Sequence, residues 1–201
     1  PGVKSVAGLF MLVFQKQLYF FADTTVSIDP TPEDLAETAI LTADFVRRLS
    51  INPRVGMISF SNFGSARHPE SEKVRKAVEI VKDLRPDITI DGEMQADTAV
   101  VQDILKTRYP FSDLKRPANV LVFPNLTAAN ASYKLLTRLG GATAIGPVLL
   151  GMAKPVHLLQ RGATVEDITN LAAISVVDAA HRGHEAEVVA SRALEAEPAI
   201  V

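Results

Sequence analysis

Short apolar runs alternate along this chain with longer amphipathic stretches, and this alternation constrains the fold more than any other feature. The runs Val6–Phe14 and Leu18–Ala22 predict strands, and Gln15–Gln17 between them predict a β-hairpin. Ala118–Phe123 is nearly all apolar, which is typical of a parallel strand that is buried on both faces. Strands that alternate with helices predict an α/β fold with a mostly parallel sheet.

Local signals predict where the other elements begin and end. Thr31, Pro32 and Asp34 follow the order of an N-cap, a first-turn proline and the third residue of a capping box, so a helix is expected from there to about Leu49. The tail after Leu194 is expected to fray. The remaining predictions are strands at Arg54–Phe60, Ile88–Ile90, Thr143–Leu150 and Val156–Leu159, and helices at about 69–84, 97–106, 128–140, 164–181 and 185–194.

Composition excludes several classes of function. The 201 residues carry a net charge of −2, so no basic excess is present to bind nucleic acid. The longest apolar run is much shorter than the roughly 20 residues of a membrane-spanning helix, so no membrane partner is expected. The chain has no cysteine, which excludes disulfides and a cysteine nucleophile and fits a reducing, cytoplasmic location. His181 and His184 have no third ligand nearby in the sequence, so no metal site is predicted.

Four polar segments follow predicted strands, where open α/β sheets bind their ligands. The first holds Ser61, Asn62 and Ser65 between a strand and a helix, where backbone N–H groups could bind an anion; a simple polar turn is the alternative. The second is a dense cluster of three carboxylates and an amide at residues 91–97. Helix capping and a turn account for its aspartates but leave Glu93 and Gln95 unexplained.

The third and fourth segments also combine ligand-binding side chains with an alternative. Asn130, Tyr133 and Lys134 are spaced to share one helical face, which predicts a ligand-binding face or simply a solvated one. Arg161 in the fourth segment could hold an anion, with Asp167 nearby as a base. Asp167 also stands three residues after a threonine, which is the spacing of a capping box.

Taken together, these segments resemble the phosphate acetyltransferase family, in order and over nearly the whole chain. The matching stretches are Ala-Asp-Thr at 22–24, Ser-Phe-Ser-x-x-Gly-Ser at 59–65, Asp-Gly-Glu-Met-Gln-Ala-Asp at 91–97, Ala-Asn-Val-Leu-Val-Phe-Pro at 118–124, Gly-Pro-Val-Leu-Leu-Gly at 146–151 and Lys-Pro-Val at 154–156. The resemblance implies a three-layer α/β/α architecture of the isocitrate/isopropylmalate dehydrogenase-like kind. Residues 1–23 and 142–201 would belong to a first, incomplete lobe, and residues 24–141 would form a second.

Within that family, the stretches at 61–65, 91–97, 125–130 and 150–158 are similar to the C-terminal domain of large bacterial NADP-dependent malic enzymes. The similarity implies that acetyl-CoA binds this domain and regulates malate decarboxylation. NADP and a divalent metal would then belong to an N-terminal malic enzyme domain that this chain lacks. We expect a fragment of a longer protein, since the chain begins at Pro1 without a methionine, and we expect a homo-oligomer, a dimer or larger.

In active family members, the resemblance implies that a carboxylate takes the proton of the CoA thiol while Arg and Ser side chains hold the phosphoryl group of acetyl phosphate. Arg161 and Asp167 match two of those positions, but the family's Ser is Gln160 here and its Cys is Ala163. Gln160 cannot present a compact hydroxyl, which favours acetyl-CoA binding with weak transferase activity.

Two alternatives to this regulatory interpretation remain. One is an active phosphate acetyl- or butyryltransferase, and the other is a structural module that drives oligomerisation. The predicted site has Asp167 and Arg161 as catalytic residues and the following ligand-binding residues: Ser61, Asn62, Ser65, Glu93, Gln95, Asn130, Tyr133, Lys134 and Gln160.

Overall fold

A six-stranded sheet forms the centre of the computed structural model, which describes residues 3–23 and 25–195, with residues 183–195 described by their backbone alone. The sheet has the order β4-β3-β5-β2-β1-β6. β1 is antiparallel to both of its neighbours, and the other pairs are parallel. The strands are β1 (Ala7–Phe14), β2 (Gln17–Ala22), β3 (Arg54–Ile58), β4 (Thr89–Met94), β5 (Val120–Val122) and β6 (Thr143–Leu150).

Helices cover both faces of this sheet. Their bounds are α1 (Pro32–Arg48), α2 (Pro69–Leu84), α3 (Ala96–Val100), α4 (Gln102–Arg108), α5 (Leu126–Arg138) and α6 (Val165–Glu195). Phe20 packs into the core shared with α1, α2 and α6, whereas Phe21 packs into the core shared with α3, α4 and α5. Successive strand residues point to opposite faces, so one apolar run supplies both cores. The predicted α/β fold with a mostly parallel sheet is confirmed.

Several predicted elements are confirmed with small changes of boundary. Val6–Phe14 and Leu18–Ala22 do form a hairpin. Thr31 caps α1 through the predicted capping box, in which its hydroxyl accepts from the Asp34 N–H at 3.2 Å and its own N–H donates to the Asp34 carboxylate at 2.9 Å. The strand expected to end at Ile90 continues to Met94, because Asp91 and Glu93 are buried beside β3 rather than placed in a loop.

Other predicted boundaries are wrong. The helix expected at 97–106 is two short helices, because Val101 between them is extended. Val156–Leu159 is not a strand: it makes one isolated bridge to β6 at Val148, and its apolar side chains are exposed. α6 is one continuous helix through Gly183, since a single glycine costs only about 1 kcal/mol in a helix. The predicted fraying of the tail concerns residues 195–201; Glu195 is the last residue of α6, and residues 196–201 lie outside the described part.

The division into two lobes stays a prediction. β1, β2 and β6, which that division assigns to the first lobe, continue the same sheet as β3, β4 and β5.

None of the helices in the described part of the chain is long and apolar enough to cross a membrane.

A buried carboxylate joins α6 to the rest of the fold. Asp178 is only 1% exposed and accepts from the Arg48 Nε of α1 at 2.6 Å and from the Arg182 Nε one turn further along α6 at 2.9 Å. Arg182 also donates through Nη1 to the backbone oxygen of Met152 at 2.8 Å. This network joins α1, α6 and the chain that leaves β6.

Replacing Asp178 with alanine is therefore expected to lower the free energy of unfolding by about 2–4 kcal/mol, because it leaves two partly buried guanidinium groups without their carboxylate. Denaturant unfolding at pH 7 measures the change. Glu79→Ala on the exposed side of α2 is the matched control and should change stability by less than about 0.5 kcal/mol. Equal effects of the two substitutions would contradict this role of Asp178.

Candidate anion-binding cleft

A cleft of about 570 Å³ opens on the α5 side of the sheet, over β1 and β6. Its floor includes Phe10 of β1, whose ring stacks on that of Tyr133 with a centroid separation of 4.4 Å. One wall is α5, and the other is formed by residues 159–164 and the start of α6. The cleft therefore lies over the face of the sheet, rather than at the carboxyl ends of the strands where the polar segments were expected to act. Its polar and charged side chains come from Tyr133, Lys134, Thr137, Arg138, Thr143, Gln160, Arg161, Thr164 and Asp167.

The packing of α5 decides which of its side chains face the cleft. Asn125 caps the helix by accepting from the Ala128 N–H at 2.9 Å, and Ala129 and Tyr133 are buried against the sheet. Lys134 follows Tyr133, and its Nζ lies 5.6 Å from the centre of the Tyr133 ring. The predicted pair Tyr133 and Lys134 is thus brought to the cleft, whereas Asn130 is half-buried elsewhere and does not line it.

Sequence reasoning missed Arg138, which also lines the cleft. Arg138 stands four residues after Lys134, so it falls on the same helical face one turn later. That spacing was available in the sequence.

A tight turn presents the opposite wall. The Ala163 N–H donates to the Gln160 oxygen at 3.1 Å, and Gly162 has φ of +82°, a left-handed conformation that suits glycine. Thr164 and Asp167 then start α6 with a capping box: the Asp167 carboxylate accepts from the Thr164 N–H at 2.8 Å, and the Asp167 N–H donates to the Thr164 hydroxyl at 3.2 Å. The turn and the cap together bring Gln160, Arg161 and Asp167 to the cleft.

Positive charge dominates the cleft. Lys134, Arg138 and Arg161 face one carboxylate, that of Asp167. Among the residues whose side chains the structure describes, none forms a hydrogen bond or an ion pair with Arg138 or Arg161. Unpaired guanidinium groups with planar sets of donors are suited to phosphate and carboxylate ligands.

The cap also changes the acidity of Asp167. Hydrogen bonds from the backbone N–H and the hydroxyl of Thr164 lower the pKa of the Asp167 carboxyl below its ordinary value. A lower pKa makes this carboxylate a weaker proton acceptor. The capping alternative for Asp167 therefore describes a real contact, and it opposes the role of general base.

The first two polar segments form a separate cluster in which a loop and Arg75 bind a carboxylate of the protein itself, while Nη2 of Arg75 is buried without a hydrogen-bond partner among the described residues. Glu93 is fully buried, and its Oε1 accepts from the Ser61 hydroxyl at 2.8 Å and from the Gly64 N–H at 2.7 Å. Its Oε2 accepts from Arg75 Nε at 3.1 Å. The loop after β3 thus does bind an anion through its N–H and O–H groups, but that anion is the protein's own Glu93.

Asn62, Ser65 and Gln95 complete this cluster. The Gln95 N–H donates to Asn62 Oδ1 at 2.8 Å, and Gln95 Nε2 donates to the Phe60 oxygen at 2.7 Å. The Ser65 hydroxyl accepts from the Asn62 N–H at 2.9 Å. None of Ser61, Asn62, Ser65, Glu93 or Gln95 lines the cleft. Their ligand-binding role stays a prediction, while their contacts give them a structural one.

Two opposing effects act on the acidity of Glu93. Burial raises the pKa of its carboxyl, while hydrogen bonds from Arg75, Gly64 and Ser61 lower it, and the net result is a pKa below the ordinary value. The ionised form is therefore the one that stabilises the fold.

Within the part of the chain whose side chains are described, no three His, Asp or Glu side chains lie close enough together to hold a metal ion.

The sequence matches the phosphate acetyl/butaryl transferase family over residues 1–176. It is 45% identical to the phosphate acetyltransferase of Clostridium acetobutylicum over 186 residues, which cover 89% of this chain and 56% of that relative. It is also 45% identical to the NADP-dependent malic enzyme of Escherichia coli over 179 residues, which cover 89% of this chain and 24% of that enzyme. The fold is similar to the EutD phosphotransacetylase from Staphylococcus aureus, with a TM-score of 0.85, 37% identity, and coverage of 89% of this chain and 56% of that one.

These matches confirm the resemblance stated from the motifs, and the chain belongs to the phosphate acetyl/butaryl transferase family. It spans about half the length of the phosphate acetyltransferase that it matches and about a quarter of the malic enzyme.

Replacing Glu93 with glutamine is expected to lower the free energy of unfolding at pH 7 by about 2–3 kcal/mol, because the negative charge beside Arg75 is lost and one of the two accepting oxygens becomes an NH2 donor. The difference from wild type should shrink as the pH falls below about 4.3, where the glutamate itself begins to bind a proton in the unfolded chain.

Denaturant unfolding at pH 7 and pH 3.5 measures both parts of this prediction. Glu79→Gln, which removes an exposed charge from α2, is the control and should leave the free energy of unfolding nearly unchanged at both pH values. A difference between wild type and Glu93→Gln that does not change with pH would contradict the ionised state of Glu93.

Proposed function

We propose that this chain is an acetyl-CoA-binding regulatory module of an NADP-dependent malic enzyme. The observation that carries the proposal is the set of three cations, Lys134, Arg138 and Arg161, in one cleft, where no carboxylate of the described residues pairs with either arginine. Acetyl-CoA carries a diphosphate and a 3′-phosphate, which are the groups that such donors bind. The apolar floor at Phe10 and Tyr133 suits the uncharged part of the same ligand.

Two features of the cleft favour binding over turnover. Gln160 occupies the position at which the resemblance places a serine, so a compact hydroxyl for the phosphoryl group is missing. The cap formed with Thr164 lowers the pKa of Asp167 and so weakens it as a proton acceptor. A site that binds the ligand and turns it over slowly fits a sensor.

The proposal has consequences for partners. NADP and the divalent metal would bind to a malic enzyme domain outside this chain, where malate is oxidatively decarboxylated to pyruvate. The effect of ligand binding in the cleft would then be transmitted to the malic enzyme domain through a contact between the two domains. A homo-oligomer, a dimer or larger, and a cytoplasmic location are part of the same proposal.

The second candidate is an active phosphate acetyl- or butyryltransferase, which the presence of both Arg161 and Asp167 in one cleft favours. In that reaction, Asp167 would take the proton of the CoA thiol and the sulfur would attack the acetyl carbonyl of acetyl phosphate. The bond from the carbonyl carbon to the phosphate oxygen would break, and phosphate would leave while held by Arg161. A module that only drives oligomerisation is the third candidate, and it requires no ligand in the cleft.

Replacing Arg161 with alanine is expected to weaken acetyl-CoA binding by about 1–3 kcal/mol, because one charge-assisted bond to a phosphate is lost. Calorimetric titration measures the affinity. Arg67→Ala is the matched control, since Arg67 is exposed and does not line the cleft. An unchanged affinity for Arg161→Ala would remove Arg161 from the site.

The substitution Gln160→Ser separates the sensor from the transferase. If the site is otherwise intact, the restored hydroxyl should raise acetyl transfer from acetyl phosphate to CoA by about tenfold, the equivalent of one hydrogen bond in the transition state. Gln160→Ala makes the same space without the hydroxyl and should give no gain. Rapid turnover by the wild-type chain would instead favour the second candidate.

A further inference from the structure

The chain between β6 and α6 lies along the outer edge of β6, and we call residues 152–164 the edge segment. An isolated bridge joins His157 to Val148, and the Leu158 N–H donates to the Pro147 oxygen at 3.5 Å. At its start, the edge segment is held by the bond from Arg182 to the Met152 oxygen. Gln160 and Arg161 lie toward its other end. The contact of the edge segment with β6 therefore determines where those two side chains lie.

His157 makes a contact to β6 that depends on its protonation state. The Leu149 N–H donates to Nδ1 of His157 at 3.3 Å, so Nδ1 must carry a lone pair and the neutral ring must hold its proton on Nε2. Nε2 is buried and has no hydrogen-bond partner among the described residues. The ring therefore binds the edge of β6 in its neutral form, with Nδ1 as the hydrogen-bond acceptor.

Protonation would remove that acceptor. A proton on Nδ1 would face the donating Leu149 N–H, and the charged ring would have to be accommodated in a half-buried position.

The charged groups around the ring come from two helices. Asp178 and Arg182 of α6 act on the ring with opposite signs, and Arg48 of α1 already pairs with Asp178. Burial lowers the pKa of His157, the Asp178 charge and the Val156 carbonyl oppose that change, and Arg182 adds to it. The net pKa lies below the ordinary value.

We propose that His157 is a positioning residue: its neutral ring holds the edge segment on β6, and its protonation loosens the segment, so that the cleft binds its anionic ligand more weakly as the pH falls. The inference rests on the proposed function for its ligand. In a detached segment, His157 would titrate near its free value of about 6.5, whereas in the attached segment it titrates lower. The attached form is therefore fully favoured above that pH and is progressively lost as the pH falls through the window below it.

The first test is titration of acetyl-CoA at pH 7.5 and pH 5.5 into wild type and into His157→Asn. The asparagine amide oxygen can accept from the Leu149 N–H but does not titrate. The 3′-phosphate of the ligand titrates near pH 6, and its effect is common to all variants.

We expect the affinity of wild type to fall on acidification by about threefold to tenfold more than that of His157→Asn, while the two are alike at pH 7.5. His157→Leu, which lacks an acceptor, should bind acetyl-CoA weakly at both pH values. His181→Asn is the control, because His181 is exposed on α6 and, among the described residues, its ring bonds to the Val177 oxygen of its own helix; this variant should keep the wild-type pH profile. Identical pH profiles of wild type and His157→Asn would overturn the proposal.

A second readout needs no ligand and keeps this inference separate from the proposed function. In NMR titrations of wild type, the amides of Leu149 and Leu158 should shift with the same midpoint as the His157 ring, and in His157→Asn they should not shift in that range. If wild type binds no acetyl-CoA at either pH, the proposed function fails, but coupled amide shifts would still support His157 as the residue that positions the segment. Amides that stay fixed while the ring titrates would overturn the inference.

Discussion

The antiparallel pairing of β1 with β6 is the constraint on which the rest of the candidate site depends. β1 runs antiparallel to both of its neighbours, with β2 on one side and β6 on the other. Phe10, on one face of β1, lies at the floor of the cleft. The edge segment that carries Arg161 follows β6 in the chain. The other face of β1 packs Leu9 and Met11 into the core with α1 and α6. A change in the register of this pair would therefore move the floor and one wall of the cleft together.

The contrast between the two polar clusters shows how a ligand site differs from a structural one. In the cluster around Glu93, the donors of the loop and the buried carboxylate satisfy one another, and Arg75 adds its charge. In the cleft, Arg138 and Arg161 have no such partner in the described part of the chain. Both clusters look alike in the sequence, as runs of polar residues after strands. Only the contacts show that the loop donors of the first cluster bind Glu93, whereas the two arginines of the cleft have no carboxylate partner among the described residues.

Much of the fold could be predicted because its signals are local. The capping box at Thr31 and the apolar runs of β1 and β2 act within a few residues of themselves, and the structure agrees with them. Local sequence signals gave wrong predictions where tertiary contacts determine the structure of a segment. Val156–Leu159 is apolar enough for a strand, but it lies outside the sheet with exposed side chains, and no local pattern records that exposure.

The same limit applies to the site. The capping spacing of Asp167 and the shared helical face of Tyr133 and Lys134 were visible in the sequence, and both occur in the structure. The burial of Glu93 against Arg75 could not be foreseen, because 18 positions separate the two and their contact depends on how β4 packs against α2.

The measurement that most directly tests the central claim is calorimetric titration of acetyl-CoA into this chain, with CoA and acetyl phosphate titrated separately and acetyl transfer assayed on the same sample. The account predicts saturable binding of acetyl-CoA at one site per chain with little or no transfer, because three cations face the cleft while Gln160 and the capped Asp167 weaken the chemistry. Absence of binding, or binding accompanied by rapid transfer to phosphate, would contradict it.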